Sequence, residues 1–312
     1  CNYGKEINGC TPAIQSPGLG KTHYYRRLKS IIANALMPAA PRPYQDYKFK
    51  DFKKAFLRKL KFPWYQGTRH SCPVCGAGLK AFKPIFKSFP GKLKQYGFPY
   101  PLEAFETLNA DAYSCPWCDA SDRDRLYALY LGQRFAALDM DKTYKFVDFA
   151  PCLALSSKLR TCPFLDYRSA DLYRKTADDR VDITDMGVYA DDSIDVFLCS
   201  HILEHIPDDR RAMRELRRIL KPGGFGIVMV PIITTMPETH EDPAITAPAQ
   251  RWKHFCQDDH VRLYARGGAN GLVTRLAQTG FKVRLLGLEY FGAQAFERHG
   301  IARNSVLYVV EK

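Results

Sequence analysis

VDITDMGVYADDSIDVFLCSHILEHIPDDRRAMRELRRILKPGGFGIVMVPI, residues 181–232, is the stretch whose pattern decides the fold. Asp195–Ser200 and Phe225–Ile232 are short apolar runs bracketed by polar residues, as strands buried on both faces are. Between them Ala212, Met213, Leu216, Ile219 and Leu220 recur at three- and four-residue spacing, which predicts a helix over Asp208–Leu220. Acids open that helix and Arg217 and Arg218 close it, as the helix dipole favours. Lys221-Pro222-Gly223-Gly224 reads as its stop, with a glycine suited to the left-handed cap. A strand, a helix and a strand in this order make one unit of a parallel sheet.

Working outward, further strands are expected at Lys145–Ala150, Asp166–Leu172, Val181–Thr184, Lys282–Leu288 and Ser305–Glu311, with a helix near Gly271–Thr279. Residues 233–260 form a long connection. The expectation for residues 121–312 is an α/β domain with a mostly parallel seven-stranded sheet, whose ligands sit at the carboxyl ends of the strands. Of the 312 residues, 46% are hydrophobic and 25% charged, the usage of a globular protein, which excludes a disordered or fibrous chain.

The formal charge of +13 is unevenly placed. Residues 1–100 hold 19 Lys and Arg against three acids (Glu6, Asp46, Asp51), and residues 101–120 hold four acids and no base. From residue 121 onward the chain is within one charge of balance. In residues 44–62, Phe49, Phe52, Phe56, Leu57 and Leu60 define one face of a helix, with Lys48, Lys53, Lys54, Arg58, Lys59 and Lys61 largely elsewhere. This basic amphipathic helix suits docking on the folded body with a solvated basic face, or contact with an anionic membrane surface or nucleic acid. The longest apolar stretch, Ile31–Ala40, contains Asn34 and Pro38 and is too short to span a bilayer. Scattered cysteines and the lack of a charged-then-apolar leader lead to the expectation of a cytoplasmic protein with no transmembrane segment.

Four of the ten cysteines form two knuckles, Cys72-Pro-Val-Cys75 and Cys115-Pro-Trp-Cys118, with 39 residues between them. Two such turns supply four thiolates to one tetrahedral ion and leave no open position, so the expectation is a structural zinc ribbon over residues 69–120. Buried free thiols and a redox pair are the other readings of the same spacing. Residues 1–68 are then a separate basic helical segment.

FVDFAP (146–151), SADL (169–172), the 181–232 block and EDPAITAPAQRWKHFCQDDHVRLY (241–264) together resemble the class I S-adenosylmethionine-dependent methyltransferases. Within them the likeness is to the type 11 branch and a bacterial subfamily with a zinc ribbon ahead of a Rossmann-like domain. The resemblance runs from about Arg69 to the end of the chain. It implies S-adenosylmethionine as cofactor: Asp148, Phe149, Ala150 and Pro151 near its methionine part, Asp171 and Leu172 at its ribose, Asp182 and Ile183 at its adenine, Ser200 and His201 beside the sulfonium. The chain departs from the superfamily in having no glycine in the first loop, and from the subfamily in having Cys152 where an acid usually follows.

Candidates for the chemistry are His201, His260, as a base oriented by Asp258 or Asp259, and Arg262, as a clamp on an acidic acceptor. A structural network of Asp259, His260 and Arg262 is the equal alternative, and His205 reads as a brace for the turn after the strand. A zinc site at His201-x-x-Glu204-His205 lacks further ligands in the sequence. The implied activity is methyl transfer to oxygen or nitrogen of a small-molecule or glycan-type acceptor. An RNA base methyltransferase using the basic N-terminal third, and a non-catalytic zinc-ribbon binding protein with a degenerate methyltransferase fold, are the competing readings.

Overall fold

The computed structural model describes residues 62–312, and the statements below concern these residues. The helix expected over 44–62, and with it the docking, membrane and nucleic-acid readings, lies outside the described residues, save for Phe62. The chain begins here with β1 (Gln66–Ser71) and β2 (Gly78–Leu79), an antiparallel pair that carries the first cysteine knuckle. In that knuckle Cys72 N–H donates to Ala77 O and Gly76 N–H to Cys72 O. The same two bonds recur in the second, from Cys115 N–H to Ala120 O and Asp119 N–H to Cys115 O. The residue after each second cysteine is left-handed, Gly76 at φ +75° and Asp119 at φ +67°. Glycine takes that conformation freely and aspartate is among the few side chains that tolerate it.

Helix α1 (Ser88–Tyr96) lies between the knuckles, and α2 (Asp122–Phe135) follows the second. The α/β part then runs β3 (Tyr144–Phe149), α3 (Leu153–Leu159), β4 (Leu165–Asp171), β5 (Asp179–Arg180), β6 (Ile194–Ser200), α4 (Asp209–Ile219) and β7 (Leu220–Met229). A small antiparallel pair, β8 (His240–Glu241) and β9 (Arg262–Leu263), brackets α5 (Pro248–Phe255) in the long connection. The chain ends α6 (Leu272–Gln278), β10 (Lys282–Leu286), α7 (Leu288–Phe291), α8 (Ala293–His299) and β11 (Leu307–Glu311). The seven-stranded sheet has the order β10-β11-β7-β6-β3-β4-β5, with β11 antiparallel to both neighbours and the remaining pairs parallel. The expected mostly parallel sheet is therefore present.

Two local expectations are corrected. The strand expected at Val181–Thr184 is only Asp179–Arg180, because the Asp182 carboxylate accepts from Thr184 N–H and Oγ1, both at 2.8 Å, and closes a turn there. The helix ends at Ile219, not in a glycine cap: Leu220 is already extended and paired with Ile194. Residues 221–224 form the register shift between β7 and β6, where Gly223 takes φ +79°. Gly226 in β7 sits against the Phe197 ring, and a Cβ there would come within 2.1 Å of it.

The cysteine module is not a separate bead. Its buried residues Cys72, Val74, Leu79, Phe82 and Cys115 belong to the same apolar cluster as the central strands. A second cluster joins the segment between the knuckles (Leu93, Phe98, Phe105) to the long connection (Trp252, Phe255, Leu263). Arg125 of α2 holds these pieces together from the inside. It is fully buried, and all five of its N–H groups go to carbonyl oxygens: His299, Tyr113, Ala120, Ala112 and Gly300. Its guanidinium also stacks 3.9 Å from the Phe82 ring centroid. No helix among the described residues is long and apolar enough to cross a membrane.

Removing that guanidinium takes the side-chain donor from the part-buried Ala112, Tyr113 and His299 carbonyls, at about 1–3 kcal/mol each, and opens a void in the core where the side chain lay. Arg125→Met is expected to lower unfolding free energy by more than about 4 kcal/mol in denaturant titration, or to prevent folding. A loss within about 1 kcal/mol would refute this account.

Candidate active site

A cavity of about 610 Å³ opens at the carboxyl ends of β3 and β6. The two strands run side by side, with Phe149 paired to Cys199, so their final residues meet at one edge. Asp148, Phe149, Ala150, Ser200 and His201, all expected at the cofactor, line this cavity. The other wall comes from the first turn of α2 (Ser121, Arg123, Asp124, Tyr127) and from the cysteine module (Lys83, Phe86, Tyr113). A smaller cavity of about 330 Å³ adjoins it, lined by Phe89, Glu106, Glu204, His205, Pro231 and Cys256 among others. Phe86, Tyr113, Arg123 and His201 line both.

The glycine-free loop makes its turn by strain. Ala150 takes φ +47° and its N–H donates to Ala170 O at 2.8 Å. Cys152 is met by an acid after all, but from α2: its Sγ lies 3.1 Å from Asp124 Oδ2. That same oxygen accepts from Ser121 N–H in the capping box of α2. Asp148 is buried with Tyr167 O–H donating to its Oδ2 at 2.8 Å, and burial pushes its carboxyl up to about 7 despite that bond.

At the wall between the cavities, Arg123 Nη1 lies 2.7 Å from His201 Nε2. Because guanidinium only donates, this bond takes up the lone pair of a neutral imidazole. Burial first, then the Arg123 charge, hold His201 well below the usual histidine range. His201 itself takes φ +56°, strained backbone at the point where β6 leaves the sheet. Its Nδ1 is 3.2 Å from Glu204 Oε1, and burial pushes the Glu204 carboxyl up to about 8.

The other expected site residues are placed as follows. Asp171 follows the Phe149–Ala170 pair at the same sheet edge, and its Oδ1 accepts from Tyr173 and Arg174 N–H at 2.8 and 2.9 Å. Pro151 O receives Arg174 Nη1 at 3.1 Å, a strap between the two loops. Asp171, Leu172 and Asp182 are outside the lining of either cavity, and Ile183 is buried in the main core. His260 is buried, donates Nδ1–H to Phe255 O at 2.9 Å, and is held by burial down to about 3. Asp259 stands not beside it but beside His205, at 3.4 Å. Arg262 bonds to Leu203, Ile206 and Pro207 carbonyls and to Glu241, and does not line either cavity. With Arg275, Asp209 and Tyr264 it locks the start of α4 to the end of the long connection.

Ser121, Arg123, Asp124, Tyr113 and Tyr127 went unnoticed in the sequence. The Ser121-x-x-Asp124 box before an apolar run was the available signal for the helix start, and an arginine inside that first turn is disfavoured by the dipole unless flanking acids offset it.

Residues 152–228 match the family model described as "Methyltransferase domain". No curated protein matches the chain. Among solved structures, it is similar to an S-adenosylmethionine-dependent methyltransferase from Mesorhizobium loti (16% identity, TM-score 0.40, 62% of this chain and 100% of that one). It is also similar to a chain from the complex of the Haloferax volcanii Trm112 methyltransferase activator and the putative methyltransferase (14%, 0.37, 61% and 93%). A third is a putative S-adenosylmethionine-dependent methyltransferase from Listeria monocytogenes (14%, 0.36, 61% and 98%). The family match places a methyltransferase domain within the chain, at residues 152–228.

A carboxyl raised by burial stabilises the fold below the ordinary carboxylate pKa, near 4, and loses that contribution as pH rises toward 7. Asp148→Asn is therefore expected to remove a pH-dependent fall in stability between about pH 4 and 7, on the order of 4 kcal/mol. Wild type minus variant, measured by denaturant unfolding without added ligand, isolates this from the histidines; parallel curves would refute it.

Proposed function

We propose that this chain uses S-adenosylmethionine, bound in the larger cavity, to methylate oxygen or nitrogen of a small-molecule or glycan-type acceptor bound in the smaller one. The observation that carries the reading is the shared wall: two cavities meet at Arg123 and His201, at the strand ends where an α/β sheet binds ligands. When bound, the cofactor supplies a methyl group on a sulfonium, an excellent leaving group, so alignment is most of what the protein must provide. Asp148 fits that ligand. It is a buried acid with one hydroxyl donor and no cation bonded to it, and a cationic ligand in the cavity would hold it ionised. Asp171, outside the cavity lining at the same sheet edge with Oδ2 3.8 Å from Arg174 Nε, would serve the ribose hydroxyls, and Asp182 and Ile183 would flank the adenine where it extends beyond the cavity. Ser200, fixed by Tyr127 at 2.8 Å, and neutral His201 floor the reacting end. His201 takes a proton from an acceptor only after Arg123 shifts off its Nε2.

The four cysteines fit a structural zinc. Cys72 and Cys118 Sγ lie 3.7 Å apart, Cys75 and Cys115 3.8 Å, and all four sulfurs fall within 4.8 Å of one another. A tetrahedron with zinc–sulfur bonds of about 2.3 Å has edges of about 3.8 Å, whereas disulfides would need about 2.05 Å. Such an ion builds the wall carrying Lys83, Phe86 and Tyr113 and takes no part in transfer.

Calorimetry with S-adenosylmethionine is expected to show one site per chain, weakened about 10–100-fold in Asp171→Ala by loss of its charged hydrogen bonds. Absence of binding to wild type refutes the cofactor reading. Cys75→Ser is expected to release thiolate-bound zinc and disorder the module; zinc-free protein with unchanged stability refutes the metal reading.

A further inference from the structure

Behind the shared wall lies a cluster that methyl transfer by alignment does not use. Glu204, His205 and His260 each bring one ligand atom within 4.8 Å of the others. Glu204 is 1% exposed and His260 0%, and Glu204 Oε1 lies 4.0 Å from His260 Nε2. Both Glu204 oxygens and His260 Nε2 are buried without a hydrogen bond; Oε1 has His201 Nδ1 3.2 Å away, while Oε2 and His260 Nε2 have no such neighbour. Buried polar atoms are almost always paired, so these two facing atoms call for an occupant.

The far side of each ring is prepared for one. His260 gives its Nδ1–H to Phe255 O, which leaves Nε2 as a lone pair facing Glu204. His205 has the Asp259 carboxylate beside its ring, with Oδ2 3.4 Å from Nδ1. A carbonyl or carboxylate behind the imidazole is the outer shell that fixes the tautomer of metal-bound histidines. The third ligand comes from the long connection, drawn in by Val261 N–H donating to Glu204 O at 2.9 Å. It supplies what His201-x-x-Glu204-His205 lacks as a motif.

We propose that Glu204, His205 and His260 bind a divalent first-row transition ion with a position open toward the smaller cavity, which Glu204 and His205 line. Two imidazoles and one carboxylate are the donor set of open zinc and ferrous sites. An acceptor hydroxyl on the open position would lose its proton more readily. That role rests on the methyl-transfer reading, but the site does not, and its test reads metal directly.

The full chain, expressed in cobalt-supplemented medium and freed of loose metal by gel filtration, is expected to hold two equivalents. One shows the intense near-ultraviolet thiolate absorption of the four-cysteine site. The other shows only the weak visible bands of nitrogen and oxygen ligands. His205→Ala, which removes a partly exposed ring, and Glu204→Gln are expected to keep the thiolate band, a marker of folding, and lose the second equivalent or bind it at least 100-fold more weakly. Wild type that holds only the thiolate-bound ion, even with millimolar zinc, cobalt or ferrous iron, overturns the site. So does retention of both equivalents by His205→Ala. S-adenosylmethionine calorimetry, run in parallel, tells failure of this site from failure of the methyl-transfer reading.

Discussion

A buried guanidinium has no water to solvate it, so its five N–H groups must all find acceptors in the protein. Arg125 finds them on three separated pieces of chain: the end of the segment between the knuckles, the second knuckle, and the turn after α8. The Ala112 and Tyr113 carbonyls take their bonds from this side chain, Ala120 O adds it to the bond from Cys115 N–H, and the His299 and Gly300 carbonyls lie at the end of α8. This one side chain therefore fixes where the cysteine module sits on the sheet. Everything the module contributes to the cavities, Phe86 and Tyr113 above all, depends on that placement.

The same turn of α2 arranges the charge of the site. Asp122 accepts from Asn109 N–H, Asp124 caps its own helix and meets the Cys152 thiol, and Arg123 reaches His201. Two acids at a helix N-terminus are favoured by its dipole, and they offset the cost of the arginine between them. The outcome is a cation and an acid delivered to opposite sides of one cavity by neighbouring residues.

The sheet was legible because its central strands are apolar on both faces, and such runs are short, continuous and bounded by turn residues. The edge strand was not: β5 is two residues long, and Asp182 competes for its backbone by capping a turn. The helix stop was misplaced by a glycine pair whose task is a register shift between β7 and β6. In the site, the residues at the ends of β3 and β6 were readable from position alone. Arg123, Tyr113 and Tyr127 were not, since nothing in local pattern says that α2 and the cysteine module fold over the strand ends. The pairing of Asp259 also escaped the sequence: adjacency suggested His260, but His260 turns inward to Phe255 O and leaves Asp259 with His205.

An open α/β sheet presents its ligand crevice to water. Here the crevice is walled from two sides that belong together. The segment between the knuckles and the long connection share an apolar cluster, with Tyr96 stacked 5.7 Å from Trp252. Opening the smaller cavity by moving either piece would break that cluster, so the wall resists a change in access to that cavity unless both move as one. The strained backbone at His201 lies where the two cavities join, and strain persists only where surrounding structure overrides it. Arg123 on one side and Glu204 on the other supply that constraint, so the ring orientation is set by the module and the long connection together and not by β6 alone.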